Sequence, residues 1–323
     1  MMLTWNFWEY WVAAAQLIFA MIGMGATLTV LDFRNILRRP HGVAFVFIFQ
    51  YLICPFLAMG LARWFGLSPG MTLGLLVVAA MPSGAMSNIY TYLGRGNVPL
   101  SITATTASTL ACLVLTPVLL RLLEPPGLPG DFQMPVFRIL QEILFCLLIP
   151  LTIGMTIGHL WSDARRTVSK WSIRGCMLFL SILVVGSLFS GQIDVFEHGL
   201  KVPFVMILFG AILLGPVQIL AFLLGFNEDD AYTIGIEITM RNCNVALLLK
   251  AAIWPVGVVL DEIGEGVLYA ALFYGGMSLF LCLLPIIRRY VVRRHRTRND
   301  AQPVSKKTDR PLSDGKQGNS QIG

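Results

Sequence analysis

Charge is scarce in this chain. Only 13% of its 323 residues are Asp, Glu, Lys or Arg, whereas 56% are apolar, and the mean hydropathy is +0.71. Soluble globular domains carry about a quarter of their residues charged, so lipid must be the solvent for most of this sequence. Histidine is almost missing, with 4 residues in all. No HExxH stretch, GxGD-like carboxylate pair or Ser/His set is present, and an intramembrane enzyme is not expected. The cysteines (Cys54, Cys112, Cys146, Cys176, Cys243 and Cys282) include no CxxC and no paired spacing outside the apolar stretches. That excludes a disulfide framework and leaves free thiols. No basic run followed by a small-residue cleavage site opens the chain, so a removable signal peptide is not expected. The short alternating segments of a membrane β-barrel are lacking as well.

What the sequence does have is length in its apolar runs. A hydrocarbon core of about 30 Å takes roughly 20 helical residues, and a lipid-facing backbone must bond to itself, which selects helices. Breaking at polar and Pro/Gly clusters predicts an all-α membrane protein with nine spans, at 9–31, 42–65, 71–94, 98–123, 136–160, 172–191, 203–225, 230–254 and 264–287. Arg34, Arg38 and Arg39 follow the first span; Arg165, Arg166, Lys170 and Arg174 lie around the start of the sixth; Arg288, Arg289, Arg293, Arg294, Arg296 and Arg298 follow the ninth. With an odd span count these basic segments share one face. The opposite loops, at 124–133, 192–199 and 260–266, are acidic with little positive charge. The positive-inside rule then puts the N-terminus outside and the C-terminus in the cytoplasm of a plasma or inner membrane.

The formal charge of +6 therefore reports topology, and no nucleic-acid partner is expected. Trp5, Phe7, Trp8, Tyr10 and Trp11 read as an interfacial belt. Residues 299–323, polar and rich in Lys, Ser, Gly and Pro, read as a disordered cytoplasmic tail.

Two of the spans are interrupted. In the third, Pro82, Ser83 and Gly84 break the helix just before Ser87 and Asn88; the eighth places Glu237, Thr239, Arg241, Asn242 and Asn244 at similar depth. Irregular backbone at that depth is tolerated only inside protein or along a wet cavity, and it creates half-helix ends that attract ions. Met86-Ser87-Asn88 and Met240-Arg241-Asn242 add a faint sign of an inverted repeat. Glu237 and Arg241 are one helical turn apart, which suits either a structural ion pair or a functional site. Gln50, alone in the second span, reads as interhelical glue. Ser101 and Thr105 share a helix face, and hydroxyls in membranes commonly bond back to their own helix. Lys250 is expected to snorkel and His159 to sit at an interface. One carboxylate among amide and hydroxyl oxygens is nonetheless the donor set a hard cation such as Na⁺ accepts.

The string PSGAMSNIYTYLGRGNVPLS at 82–101, followed by TATTAST and LTP, resembles the crossover motif of the bile acid:sodium symporter family. GMGATLTVLDF at 23–33, FQYLICP at 49–55 and GIEITMRN at 235–242 fall in that family's order. The resemblance covers roughly residues 15–290. It implies a panel domain of spans one, five and six (9–31, 136–160, 172–191) and an inverted-repeat core (42–123, 203–287), with spans three and eight unwound and crossing. Carried over by position, it implies one Na⁺ site of Ser87, Asn88, Ser101, Thr105 and Glu237. A second would use Gln50, Glu237, carbonyls near Ile238 and Met240, and a glutamine where Arg241 stands.

Arginine has no acceptor atom and stays protonated, so Arg241 cannot ligate Na⁺. The expectation is a secondary symporter of an organic anion with one Na⁺, Arg241 acting as a tethered cation, and no organic cofactor. Ala85, Met86, Arg241 and Asn242 are expected to face substrate, with Arg241 alternatively anchoring the anion itself. Ser83, Ala85 and Met86 stand where the family has Gly, Thr and Ala, so the substrate is not inherited with the resemblance. A related exporter, a Na⁺-independent anion transporter, and a channel or receptor are the other readings. The sequence leaves the oligomeric state open.

Overall fold

Apolar runs with no water to bond to close their hydrogen bonds within helices, and the computed structural model shows the result. It describes residues 2–29, 34, 40–129, 132–189, 199–254 and 261–300. In chain order the helices are α1 (Met2–Thr27), α2 (Pro40–Phe65), α3 (Pro69–Ala79), α4 (Ala85–Leu93), α5 (Val98–Leu122), α6 (Val136–Leu160), α7 (Arg165–Phe189), α8 (Lys201–Leu223), α9 (Glu228–Thr239), α10 (Cys243–Ile253) and α11 (Glu262–Asp300). Among the described residues there is no strand. Among the described residues six helices, α1, α2, α5, α6, α8 and α11, are long and apolar enough to cross a membrane, while α3 and α10 are shorter apolar pieces.

Helix boundaries move outward from the predicted spans where charge begins. The seventh helix starts at Arg165, so Arg165, Arg166 and Lys170, placed in a loop by hydropathy, occupy its first turns. The last helix runs to Asp300. Hydropathy marks the part of a helix that lipid covers, whereas Lys and Arg are good helix formers once past that boundary. The remainder of the predicted tail, Arg38, Arg39, the acidic loop at 192–198 and the side chains of Trp5, Phe7 and residues 293–300 lie outside the described residues.

Proline shapes two of the long helices. One residue before Pro55 and Pro150, the backbone widens into a π turn, with Cys54 N bonded to Phe49 O and Ile149 N to Leu144 O. A proline inside a helix removes a donor and crowds the preceding turn, and the extra residue in the turn absorbs both. In α2 the wide turn includes Gln50, which is fully buried.

Packing between α1 and α6 is backbone to backbone. A Cβ at Gly25 would stand 2.2 Å from Leu151 O, and one at Gly154 would stand 2.3 Å from Ile22 O. Small residues allow this approach, which supplies dispersion contacts where lipid removes the hydrophobic drive. On its other side α1 runs along α7.

Lys250 does not snorkel. Its side chain is 10% exposed and its Nζ lies 3.4 Å from Glu9 Oε2 of α1. Nearly all of α10 is buried in the bundle, so the ammonium has no short route to water and pairs instead. Removing one partner of a buried pair typically costs about 3–5 kcal/mol, whereas replacing both is close to neutral. Lys250→Met should therefore lower thermal stability steeply, and Glu9→Gln combined with Lys250→Met should recover most of it. A double variant no more stable than the single one would overturn this account.

Candidate functional site

Both predicted interruptions are present, and they satisfy each other. Pro82 cannot donate, and the backbone leaves α3 at Ala80 to re-enter a helix at Ala85. On the other strand of the crossing, α9 ends at Thr239, Met240 is extended, and α10 begins at Cys243. Ser83 and Arg241 form an antiparallel bridge. Asn242 N donates to Pro82 O at 2.9 Å and Gly84 N to Met240 O at 3.3 Å.

The other freed carbonyls find side chains. Thr116 Oγ1 donates to Ala80 O, Arg241 Nη1 to Met81 O and Tyr274 OH to Thr239 O, at 2.7, 3.1 and 2.9 Å. A break deep in the bundle is stable only on those terms. The two Met-x-Asn strings are not structural equivalents. Met86-Ser87-Asn88 lies inside α4, whereas Met240-Arg241-Asn242 is the break itself and faces Pro82-Ser83-Gly84.

On one side of the crossing, α4, α5 and α9 bring together all the residues of the expected first ion site. Glu237 is fully buried. Thr105 Oγ1 donates to its Oε2 at 2.9 Å, and Ser101 Oγ makes a short bond to its Oε1. Asn88 Oδ1 lies 2.8 Å from Ser101 Oγ and 3.4 Å from Thr105 Oγ1, within hydrogen-bond reach of both hydroxyls. Ser87 Oγ lies 3.4 Å from Thr105 Oγ1 and donates to Gly84 O at 2.8 Å. Ser101 and Thr105 do not bond back to their own helix as hydroxyls in membranes commonly do. Neither salt bridge among the described residues includes Glu237. A buried carboxylate bonded only to neutral donors calls for a proton or a cation to complete it.

Arg241 is not the partner of Glu237. The one-turn spacing read from sequence assumed an unbroken helix; α9 stops at Thr239 and the chain turns before Arg241. The guanidinium instead meets Gln50. With its carbonyl toward the break, Gln50 Oε1 accepts from Ser83 N at 2.7 Å, Ser83 Oγ at 3.1 Å and Arg241 Nη1 at 3.0 Å. The opposite amide placement would aim an NH₂ at donors. Arg241 is 5% exposed, and its Nε and Nη2 have no hydrogen-bond partner among the described residues. Ile238 is buried within α9, and the Met240 carbonyl is engaged by Gly84.

Beside the crossing lies a cavity of about 770 Å³, walled by α1, α4, α7, α10 and α11. Ala85, Met86, Arg241 and Asn242, expected to face substrate, all line it, as does Asn88. Gln16, Cys176 and Asn244 line it too, and the sequence reading gave them no role. The signal available for Gln16 was spacing: Gln16, Ala20, Gly23 and Thr27 form one small or polar face of α1.

A clasp at the far ends of the half-helices was also missed. Arg289 of α11 pairs with Asp229, bonds Glu228 O at 2.9 Å and stacks 4.5 Å over the Tyr232 ring, while Tyr232 OH donates to Tyr90 O. The acidic start of α9 was its only trace in the sequence.

Two interrupted helices crossing at their breaks, with a hydroxyl-bonded carboxylate and a cavity beside them, define a multi-pass helical membrane protein of transporter architecture. The comparisons agree. The chain belongs to the Sodium Bile acid symporter family, whose profile matches residues 14–196. It is 32% identical over 247 residues to YocS of Bacillus subtilis (strain 168), described as an uncharacterized sodium-dependent transporter, covering 75% of each chain. It is 32% identical to "Probable sodium/metabolite cotransporter BASS2, chloroplastic" of Oryza sativa subsp. japonica, over 72% of this chain and 54% of that one. It is 30% identical to the ileal sodium/bile acid cotransporter of Oryctolagus cuniculus, over 55% of this chain and 51% of that one. The match thus spans about half the length of the plant and mammalian relatives.

Proposed function

We propose that this protein is a secondary active symporter of an organic anion, coupled to one Na⁺ held by Glu237, Ser101, Thr105, Asn88 and Ser87. The observation that carries the reading is the convergence of these oxygens, from three helices, around a buried carboxylate without a basic partner among the described residues. Rotation of the hydroxyls would turn their lone pairs to a shared cation, and one carboxylate with neutral oxygens matches the charge of Na⁺.

The relatives named for sodium-dependent transport support the ion, and the family supports an anionic substrate. Nine crossings follow if α7 and the interrupted pairs α3/α4 and α9/α10 each span the bilayer. Of these, α1, α6 and α7 would form the panel and the rest the inverted-repeat core. The cavity uses α1 from Gln16 to Thr27, while Glu9, nearer the opposite end, is sealed against Lys250. That asymmetry suits one state of an alternating-access cycle, open to the cytoplasm if the basic ends face inward.

Arg241 supplies the second positive charge. Its Nη1 donates to the Gln50 oxygen and to Met81 O, in the region where a second ion would otherwise bind. Glu237 and a monovalent anion are then balanced by one Na⁺ and one guanidinium. A second reading has its own observation: Arg241 lines the cavity, and its bonds to Met81 O and Gln50 leave donor capacity unused among the described residues, which an anion could take up.

Thermal denaturation of the purified protein against a panel of organic anions, with Na⁺ and with a K⁺ or choline control, tests the proposal. A ligand at a hundredfold excess over its Kd adds about 2.7 kcal/mol of stability. Stabilisation by some anion that requires Na⁺ is the expected result. Equal stabilisation in K⁺ and Na⁺ would remove the coupling from the proposal.

A further inference from the structure

The closed end of the cavity lies where the two proposed bodies, panel and core, meet. Its lining stops at Gln16 on α1 and at Leu247 on α10. Glu9 and Lys250 stand roughly two turns and one turn beyond those residues, facing each other at 3.4 Å with 2% and 10% of their side chains exposed. Helix α10 packs against α3 and α11 of the core and against α1 and the start of α6 of the panel. Just past it, Trp254 meets the Phe132 ring at 6.2 Å. Tyr10, the next residue of α1, faces a different neighbour and donates to Glu142 Oε1 of α6 at 3.0 Å. The joints inside each body are of another kind. Glycines bring α1 onto α6 and α3 onto α11 backbone to backbone, and a Cβ at Gly74 would stand 2.6 Å from Gly266 O. Helix α10 has no glycine, and its joint with α1 includes the buried ion pair.

We infer that Glu9 and Lys250 form the latch of an outer gate: they hold panel to core while the cavity is open at its other end, and they part when the protein turns to face outward. The inference rests on the transporter reading above and adds the residues that set the balance between its two states. A contact broken in every cycle must cost little to break. Close-packed backbones lose their dispersion contacts outright when they separate. Water takes back both charges of a parted ion pair, and the hydration regained offsets much of the attraction lost. Removing one charge turns the pair into a lever. The survivor is then buried without its counter-charge only while the gate is closed, so the open state gains. With both residues made apolar, opening wets two apolar side chains in place of two charges, and the closed state gains instead.

Cys176 of α7 and Cys243 of α10 line the cavity and report which side it faces. A membrane-impermeant maleimide is applied to the full chain in intact cells and in inside-out membrane vesicles, and modification of each cysteine is read by peptide mass spectrometry. Wild type is expected to react mainly from the side of Arg288 and Arg289, the cytoplasm in the proposed orientation. Lys250→Met and Glu9→Met strand one charge in two independent ways, so that one misfolded variant does not decide the matter. Each should raise labelling from the outer side by at least about tenfold. Glu9→Met combined with Lys250→Met should bring outer labelling below wild type, and the charge-swapped pair, Glu9→Lys with Lys250→Glu, should return it toward wild type. Single variants that label as wild type does, or a double apolar variant as open as the single ones, overturn the latch. Cysteines that react from both sides at once, in wild type and variants alike, would describe a channel and remove the transporter reading itself.

Discussion

Glu237→Gln is expected to eliminate Na⁺-dependent stabilisation and uptake while leaving the protein folded. The amide keeps the size of the carboxylate and an oxygen for the hydroxyls of Ser101 or Thr105, but carries no charge. Two unit charges 4 Å apart attract by about 4 kcal/mol at an effective dielectric of 20, which is roughly three orders of magnitude in affinity. Without Na⁺, the variant should match or exceed wild type in melting temperature, since an ionised group with no basic partner among the described residues is expensive to bury. That rise separates a functional carboxylate from a structural one, whose loss would lower stability. Ser101→Ala and Thr105→Ala, each removing one neutral ligand, should weaken Na⁺ by a smaller factor, on the order of tenfold. Retention by Glu237→Gln of a wild-type response to Na⁺ would place the ion elsewhere.

Arg241→Gln should change the count of ions. The shorter side chain withdraws the guanidinium from Gln50 Oε1 and Met81 O and offers a carbonyl oxygen of its own. If Arg241 is a tethered cation, the Hill coefficient for Na⁺ should rise from about one toward about two, since it is bounded by the number of sites. Transport should also become more dependent on Na⁺ and move one more positive charge per cycle. If Arg241 instead anchors the anion, ion dependence stays as it was and substrate affinity falls by about ten- to a hundredfold, the range for losing a charge-assisted hydrogen bond. Wild-type protein with a Hill coefficient near two and inward current on substrate addition would sink the tethered-cation account before any variant is made.

Much of the candidate site was legible because intramembrane polarity is expensive and so is rarely accidental. Ser87, Asn88, Ser101, Thr105 and Glu237 stand out against 56% apolar residues, and the breaks announce themselves through Pro82 and Gly84. Arg241 was legible as a charge but not in its partner, because a spacing of four residues means adjacency only on a continuous helix. Lys250 was misplaced for a related reason. Whether a lysine reaches water depends on which helices surround it, and Glu9, its partner, lies 241 residues away.

Gln16 shows the same limit from the other side. A lone glutamine in a span is ordinarily glue between helices, and only the tertiary structure shows that Gln16 is buried on the wall of a cavity. The sequence by itself determined that the chain lives in lipid, that it is helical, where two of its helices must break and which side chains are too polar to be idle. Solvent and local backbone chemistry decide those things, and both act along the chain. Tertiary structure alone decided that the two breaks satisfy each other, that Glu237 and Arg241 face different partners across them, and which wall Gln16 belongs to. Contacts between residues far apart in sequence are set by how helices pack, and packing between helices in lipid is governed by close shape fit that hydropathy does not record.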